Sequence, residues 1–258
     1  MVRKACSTRT VNDAISLLNC VLQTAVNERI ISWNPAKGVK SLKRTEPASR
    51  DTNHRALTRE ETNSFLDQAE KQHSCYYNLY VFLLHTGCRI GEAGALNISD
   101  ITSDKNGKGV TICRTITRTE NGGYLIGSET KTAAGRRYIP LDREAQEAVE
   151  RQRLQNVMLN SGRVIDMKQP VFLSPYGALI KSSSVNQDIK SICQKSGVDK
   201  FTVHAFRDTF ATRCVESGMQ PKVLQDIMGH TDISMTMNLY AHAMDETKSE
   251  QLKVVSFS

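Results

Sequence analysis

The segment FTVHAFRDTFATRCVESGMQPKVLQDIMGHTDISMTMNLYAHA, residues 201–243, carries the strongest pattern in the chain. His204 and Arg207 stand three residues apart, so a helix would place both side chains on one face. His230 follows 23 residues after Arg207, and Tyr240 follows ten residues after His230. The segment therefore predicts a helical region that brings two histidines, an arginine and a tyrosine toward one place.

Two upstream segments add cationic groups to this set. HTGCRIGEAGAL, residues 85–96, contains Arg89, and ETKTAAGRRYIP, residues 129–140, contains Lys131. Two planar guanidinium groups can hold a phosphodiester by its non-bridging oxygens and neutralise the charge of a pentacoordinate phosphorane. A lysine in a β-turn can protonate a leaving alkoxide. The combined set indicates chemistry on a phosphodiester.

The tyrosine completes that chemistry as the nucleophile. Its phenol has a reference pKa of about 10, so it needs arginines or a base that favour the phenolate. A covalent phosphotyrosine conserves the energy of the broken bond, so a strand can be rejoined without ATP. The sequence shows neither an acidic cluster typical of two-metal catalysis nor a Walker A motif, and we predict no metal and no cofactor.

Each residue alone has a simpler interpretation. An H-x-x-R pair arises by chance, a single buried histidine is more often structural, and a tyrosine on an amphipathic helix usually belongs to the core. A lysine in a turn is normally solvated surface. Only the joint pattern favours catalysis.

Composition places the chain among ordinary globular proteins, with 39% hydrophobic and 24% charged residues in 258. Its seven cysteines are scattered without a C-x-x-C pair, which indicates a reducing compartment. We find no transmembrane run and no signal peptide, and expect a cytoplasmic, nucleoid-associated bacterial protein.

The basic residues are concentrated at the N-terminal end of the sequence. Residues 1–50 hold nine Lys or Arg and three acids, whereas residues 51–258 hold 25 Lys or Arg and 24 acids. The basic segment is either a DNA-contacting surface or a solvated linker.

Periodicity predicts mainly helices around a small antiparallel sheet, an α+β fold. We expect an amphipathic helix over residues 10–30, a linker in the basic stretch 40–53, and helices after Thr58 and before Gly87. Residues 109–141 contain the β-prone runs GVTICRTITRT, GGYLIGSET and RRYIPL, which predict the sheet. We further predict a helix over 142–160, a short strand VFLS, and helices from residue 183 onward.

These motifs resemble the tyrosine recombinase (phage integrase) family over roughly residues 54–245. HTGCRIGEAGAL is similar to the family's first arginine box, HAFRDTFATRC to its HxxR box, and LQDIMGHTDISMTMNLYAHA to its histidine–tyrosine box. Within the family, the chain most resembles integrases of prophages and conjugative transposons from Gram-positive bacteria.

The resemblance implies a role for each matching residue. Arg89 and Arg207 would clamp the scissile phosphate, and Lys131 would protonate the 5′-oxygen. His204 would act in acid–base catalysis or bind the phosphate, and His230 would bind a non-bridging oxygen. Tyr240 would form the 3′-phosphotyrosine.

Glu92 resembles a family acid that orients the site, although a surface carboxylate is an equally good interpretation.

The resemblance also divides the chain into four parts. Residues 1–45 would be the end of a helical core-type DNA-binding domain whose earlier helices this chain lacks, and residues 46–53 a linker. Residues 54–245 would be the catalytic domain. The tail 246–258 would dock on a neighbouring protomer.

The predicted function is a site-specific recombinase (integrase) that serves integration and excision of a mobile element. Alternatives are a type IB topoisomerase-like swivelase, a chromosome-dimer-resolving recombinase, and a non-catalytic DNA-binding relative. Expected partners are double-stranded DNA at core-type recombination sites and further copies of the chain in a synaptic tetramer. Accessory excision proteins and host DNA-bending proteins can join them, and we expect no membrane.

Overall fold

The computed structural model describes residues 8–43, 55–104, 107–127, 136–159 and 169–244. The chain divides into two units, residues 1–50 and 51–258. The predicted linker 46–53 and the predicted tail 246–258 lie outside the described residues. So does Lys131.

The first unit is built on one long helix. Helix α1 spans Thr8–Asn27, so the helix predicted for 10–30 starts two residues earlier and ends three residues sooner. The chain after α1 is attached to it by amide side chains. Asn34 donates to the Oδ1 atom of Asn19 at 2.6 Å, and Asn12 exchanges two hydrogen bonds with the backbone of Leu42.

The second unit contains the remaining elements. Its described helices are α2 (Arg59–Lys71), α3 (Tyr77–Thr86), α4 (Ile90–Ala93), the 3₁₀ turn η1 (Ile98–Asp100), α5 (Arg143–Leu159), α6 (Ser182–Ser196), α7 (His204–Glu216), α8 (Pro221–Met228) and α9 (Ile233–Met244). Its described strands are β1 (Ile101–Asp104), β2 (Gly107–Ile112), β3 (Ile116–Arg118), β4 (Tyr124–Ile126) and β5 (Arg137–Pro140). No described helix combines the length and apolar character that crossing a membrane requires.

Local signals set the start of α2 and the end of α3, as the sequence predicts. The backbone N–H of Glu61 donates to the Thr58 hydroxyl at 3.1 Å, and the N–H of Thr58 donates to the Glu61 carboxylate at 2.9 Å. This capping box satisfies donors that a helix start leaves free. Gly87 ends α3 with a φ of +62°, and the Phe210 ring occupies the place where a Cβ would project. Arg89 follows this turn and caps α4.

The β region differs from the single sheet that the sequence predicts. Strands β1, β2 and β5 form an antiparallel sheet in the order β1-β2-β5, while β3 and β4 form a separate hairpin. The run GVTICRTITRT therefore contributes to two sheets, because the chain leaves the first sheet between Ile112 and Ile116. In place of the predicted strand VFLS, residues 171–174, the structure has an isolated bridge at Leu173 and another at the preceding Pro170.

An aromatic cluster joins the helices that carry the site. The Phe65 ring lies 5.3 Å from Tyr80, 5.1 Å from Phe201 and 5.6 Å from Phe206, measured between ring centroids. All four side chains are buried. Such contacts between large rings dominate core packing, so they fix α2, α3 and α7 relative to one another. The turn to Arg89 and the residue after Phe206 are thereby held in place.

Candidate active site

Two predicted arginines and a predicted histidine meet at the end of helix α8. Arg207, which is buried on α7, donates from Nη1 to the Gly87 carbonyl and from Nη2 to the Met228 carbonyl, both at 2.6 Å. The Nη2 atom of Arg89 lies 3.5 Å from the carbonyl oxygen of Gly229, and His230 follows directly. The turn after α3, helix α7 and the end of α8 thus converge on one point.

Glu92 lies inside this cluster, not on the surface. Its carboxylate accepts hydrogen bonds from the Arg89 backbone at 2.9 Å, from Arg89 Nη1 at 3.0 Å and from both terminal nitrogens of Arg137 at 3.1 and 2.7 Å. Burial alone would raise the pKa of Glu92, but the hydrogen bonds and charges of Arg137 and Arg89 lower it. The carboxyl group is therefore ionised and binds both guanidinium groups.

The cluster carries excess positive charge. It contains three guanidinium groups, those of Arg89, Arg137 and Arg207, but one carboxylate, that of Glu92. Burial, together with the charge of the nearby Arg89, lowers the pKa of Arg207 to about 10. Arg207 remains a cation at neutral pH. The Arg89 side chain is 41% exposed, whereas the side chains of Arg137 and Glu92 are buried. An anion that approaches from solvent would meet Arg89 first and balance the surplus charge.

His230 is a neutral histidine held by helix α9. Its Nδ1 atom lies 2.9 Å from the hydroxyl oxygen of Thr236, which is fully buried. Burial, followed by the charges of Arg207, Arg89 and Arg137, lowers the pKa of His230 to about 4. If Thr236 donates to Nδ1, the neutral ring carries its proton on Nε2 and can donate a hydrogen bond there.

Tyr240 occupies a neighbouring apolar pocket. Its side chain is buried, and its hydroxyl donates to the backbone carbonyl of Met219. Burial, followed by the Cys214 thiol, raises the pKa of the Tyr240 phenol. The pocket is lined by side chains of α7 and α8, namely Ala211, Cys214, Val215, Leu224 and Met228. The hydroxyl is thus bound to the turn before α8, while Met228 links this pocket to the arginine cluster.

The remaining predicted residues have less defined places. His204 is exposed at the first position of α7, three residues before the buried Arg207. Lys131 belongs to the connection between β4 and β5, outside the described residues. The structure therefore brings Arg89, Glu92, Arg207 and His230 together, with Tyr240 in the adjoining pocket.

The sequence prediction missed Arg137. This residue begins β5, where Arg137 and Ile139 are buried while Tyr138 and Pro140 are exposed. A period of two in RRYIP would have placed Arg137 on the same face as Ile139. A charged residue at an inward position requires a partner, so the alternation alone could have identified it.

One further group of side chains has the composition of a metal site. The ligand atoms of His85, Asp142 and Glu144 lie within 4.8 Å of one another. Asp142, however, already accepts the Ala145 N–H at the start of α5 at 2.9 Å and lies 2.6 Å from Nδ1 of His85. Helix capping and this pair account for the arrangement without an ion.

Known proteins resemble this chain over most of its length, including nearly all of the second unit. The profile described as "Phage integrase family" matches residues 55–247. The transposase from transposon Tn916 of Enterococcus faecalis is 32% identical over 205 residues, which are 76% of this chain and 50% of that protein. The ICEBs1 integrase of Bacillus subtilis is 22% identical over 245 residues, covering 95% of this chain and 64% of its own length. The chain thus spans about half the length of the Tn916 relative.

Solved structures support the same fold. The Tn1549 transposon integrase in complex with a circular intermediate DNA matches with a TM-score of 0.76 at 29% identity, covering 97% of this chain and 81% of that one. A lambda integrase (75–356) dimer bound to a COC′ core site matches with a TM-score of 0.60 at 15% identity, over 90% of this chain and 73% of that one, which shows the fold alone. The predicted α+β fold and the resemblance to integrases of Gram-positive conjugative transposons are confirmed. The chain belongs to the phage integrase family, whose members are tyrosine recombinases.

Proposed function

We propose that this chain carries the catalytic domain of a site-specific DNA recombinase that serves integration and excision of a mobile element. The observation that carries the proposal is the cluster of Arg89, Glu92, Arg207 and His230 at the end of α8, with Tyr240 in the adjoining pocket. Surplus positive charge, a neutral histidine donor and a phenol are what transesterification at a phosphodiester needs.

The arginines would bind the scissile phosphate. Arg89 is the exposed member of the cluster, so its guanidinium can turn toward a non-bridging oxygen while Glu92 holds its backbone N–H. Arg207 uses two of its five N–H groups on backbone carbonyls, which leaves three for a phosphate. Both groups would gain interaction energy as negative charge builds on the phosphorane.

His230 and Tyr240 would act on the same phosphodiester in different ways. Neutral His230 would donate Nε2–H to a non-bridging oxygen while Nδ1 stays with Thr236. The Tyr240 oxygen would attack phosphorus and lose its proton, the bond from phosphorus to the 5′-oxygen would break, and the 5′-oxygen would take up a proton. The phenol must first leave the Met219 carbonyl.

The roles of His204 and Lys131 follow the same scheme. His204 precedes Arg207 by one turn of α7, so it would contact the same phosphate or take the phenol proton. Lys131 would reach in from the connection between β4 and β5 and protonate the 5′-oxygen. Attack on the phosphotyrosine by a 5′-hydroxyl of another strand would reverse these steps and join the strands.

DNA binding would involve both units. We assign residues 1–45 to part of a core-type DNA-binding domain, since nine of the chain's Lys or Arg residues lie within its first 50 positions. Residues 54–245 would be the catalytic domain, with a linker at 46–53. The related Tn1549 and lambda integrases have been solved on DNA, the latter as a dimer. We also propose that the protein assembles into a synaptic tetramer on DNA, in which protomers exchange the tail 246–258. Accessory excision proteins and host DNA-bending proteins would join this assembly.

A suicide-substrate assay tests the proposal. The DNA is a duplex with the joined ends of the element, nicked next to the cleavage site so that the released fragment diffuses away. Wild-type protein should form a covalent protein–DNA adduct, Tyr240→Phe should form none, and Tyr176→Phe should match wild type, because Tyr176 is 94% exposed outside the cluster. If the wild-type protein binds this DNA specifically but forms no adduct, the proposed enzymatic activity is wrong. Supercoil relaxation by a monomer without joining of two sites would instead indicate a swivelase.

A further inference from the structure

The last turn of helix α8 is held by three arginines from three different elements. The carbonyl of Ile227 accepts from Arg137 Nε at 2.6 Å, and the carbonyl of Met228 accepts from Arg207 Nη2 at 2.6 Å. The carbonyl of Gly229 lies 3.5 Å from Arg89 Nη2, the longest of the three contacts. The final carbonyls of a helix lack intrahelical partners and carry partial negative charge, so cations stabilise them.

Arg137 is the member of this set with every nitrogen engaged. Its Nε binds Ile227, while Nη1 and Nη2 bind the two carboxylate oxygens of Glu92 at 3.1 and 2.7 Å. Arg137 is only 8% exposed, and a Cβ placed at Gly229 would lie 3.0 Å from its Nη1 atom. A guanidinium so enclosed does not reach a DNA phosphate.

Arg137 therefore shares Glu92 with Arg89. In the observed arrangement both carboxylate oxygens bind Arg137, and Arg89 takes a single side-chain hydrogen bond at 3.0 Å. Without Arg137, Glu92 would be free to pair with Arg89 through both oxygens, the preferred geometry of a carboxylate and a guanidinium. That pairing would neutralise the exposed cation that has to meet the phosphate.

We propose that Arg137 is a positioning residue of the strand-transfer reaction: it binds Glu92 so that Arg89 stays available to the phosphate, and it fixes the end of α8 from which His230 projects. The proposal rests on the function proposed above. It adds to the predicted site a residue from β5 that acts through Glu92 and the α8 backbone without touching DNA.

The test combines one substitution with a second that should compensate for it. In single-turnover cleavage of the suicide duplex at saturating protein, Arg137→Met should slow adduct formation about 100-fold, the order of loss that a small misplacement of reacting groups causes. DNA affinity should fall much less than the rate, because the arginines gain most of their interaction energy as negative charge builds on the phosphorane. Arg137→Lys, which keeps the charge but not the fork, should lie between the two rates.

The double variant Arg137→Met with Glu92→Gln separates positioning from mere stability. Glutamine fills the same space without the charge that would neutralise Arg89, so the double variant should cleave about tenfold faster than Arg137→Met alone. Both variants are assayed under conditions in which circular dichroism shows each of them to be folded, so a faster rate reports the freed Arg89 and not restored stability. If Arg137→Met does not fold, Arg137→Gln, which is also uncharged but can still donate a hydrogen bond, gives the same comparison with and without Glu92→Gln.

The outcomes distinguish this inference from the proposed function. An active wild type with an unchanged Arg137→Met rate, or with a slow rate that Glu92→Gln does not improve, overturns the role of Arg137 alone. A wild type that binds DNA but forms no adduct overturns the proposed function instead.

Discussion

Removing the Glu92 carboxylate should be among the most destabilising single changes in the second unit. Glu92 is 6% exposed and is the carboxylate that binds both Arg89 and the buried Arg137. Glu92→Ala would leave the Arg137 charge buried without a counter-ion, a defect that costs about 3–5 kcal/mol of unfolding free energy. For a unit of this size each kcal/mol lowers Tm by about 2–4 °C, so Tm should fall by about 10 °C.

Urea unfolding followed by circular dichroism measures this loss, and Glu147 supplies the matched control. Glu147 also binds two arginines, Arg143 at 2.8 Å and Arg151 at 3.2 Å, but on the exposed surface of α5. Glu147→Ala should leave the midpoint nearly unchanged, because exposed ion pairs are screened by solvent. If Glu92→Ala is no more destabilising than Glu147→Ala, the reasoning about a buried counter-ion is wrong.

The same pair gives a pH dependence of definite sign. The pKa of Glu92 is lowered in the folded protein below its ordinary 4.5, so the unfolded chain takes up this proton first as pH falls. The stabilisation is therefore present above about pH 4.5 and is lost as pH falls through the folded pKa. The difference in unfolding free energy between wild type and Glu92→Ala should shrink below pH 4.5.

Three further predictions concern the turn, the histidine and the leaving-group acid. Gly87→Ala should destabilise the protein more than Gly177→Ala: both glycines have positive φ, of +62° and +74°, but only at Gly87 does a Cβ meet a neighbour, 2.4 Å from the Phe210 ring. Equal decreases in Tm for the two variants would show that the Phe210 ring moves aside at little energetic cost. Because the pKa of His230 falls from 6.5 to about 4, the unfolded chain binds its proton first, and about 3 kcal/mol of stability should be lost as pH drops from 6.5 to 4. Unfolding curves of His230→Gln should lack that loss, and an NMR titration that places the ring pKa near 6.5 would exclude it. Lys131→Ala should cleave slowly on ordinary DNA and recover on a 5′-thio substrate, whose leaving group needs no proton; absence of recovery would assign the acid elsewhere.

The parts of the fold that the sequence predicts depend on local chemistry. The Thr58–Glu61 capping box and the glycine that ends α3 in a left-handed conformation, Gly87, each depend on residues close together in the chain. Residue type and spacing are therefore sufficient to predict these two helix ends. Strand β1 escapes prediction because ITSD has only four residues, two of them small polar, and gains its strand character from pairing with β2. The division between two sheets likewise depends on pairing across the chain.

The candidate site shows the same division. Family motifs identify Arg89, Arg207, His230 and Tyr240, and the structure places the first three in one cluster. Nothing local indicates that Glu92 is buried, because its partner Arg137 lies 45 residues away. The bond from Tyr240 to Met219 spans 21 residues and depends on how α7, α8 and α9 pack. Side-chain environment is a property of packing, and motif spacing does not contain it.

Mass spectrometry of the trapped adduct tests the central claim, that Tyr240 becomes the covalent link to DNA. The adduct is digested with nuclease and protease, and tandem spectra locate the residue that carries the remaining nucleotide 3′-phosphate. We predict that the nucleotide mass lies on Tyr240 and that the Tyr240→Phe protein yields no modified peptide. A nucleotide on any other residue, or an adduct that persists in Tyr240→Phe, would contradict this account.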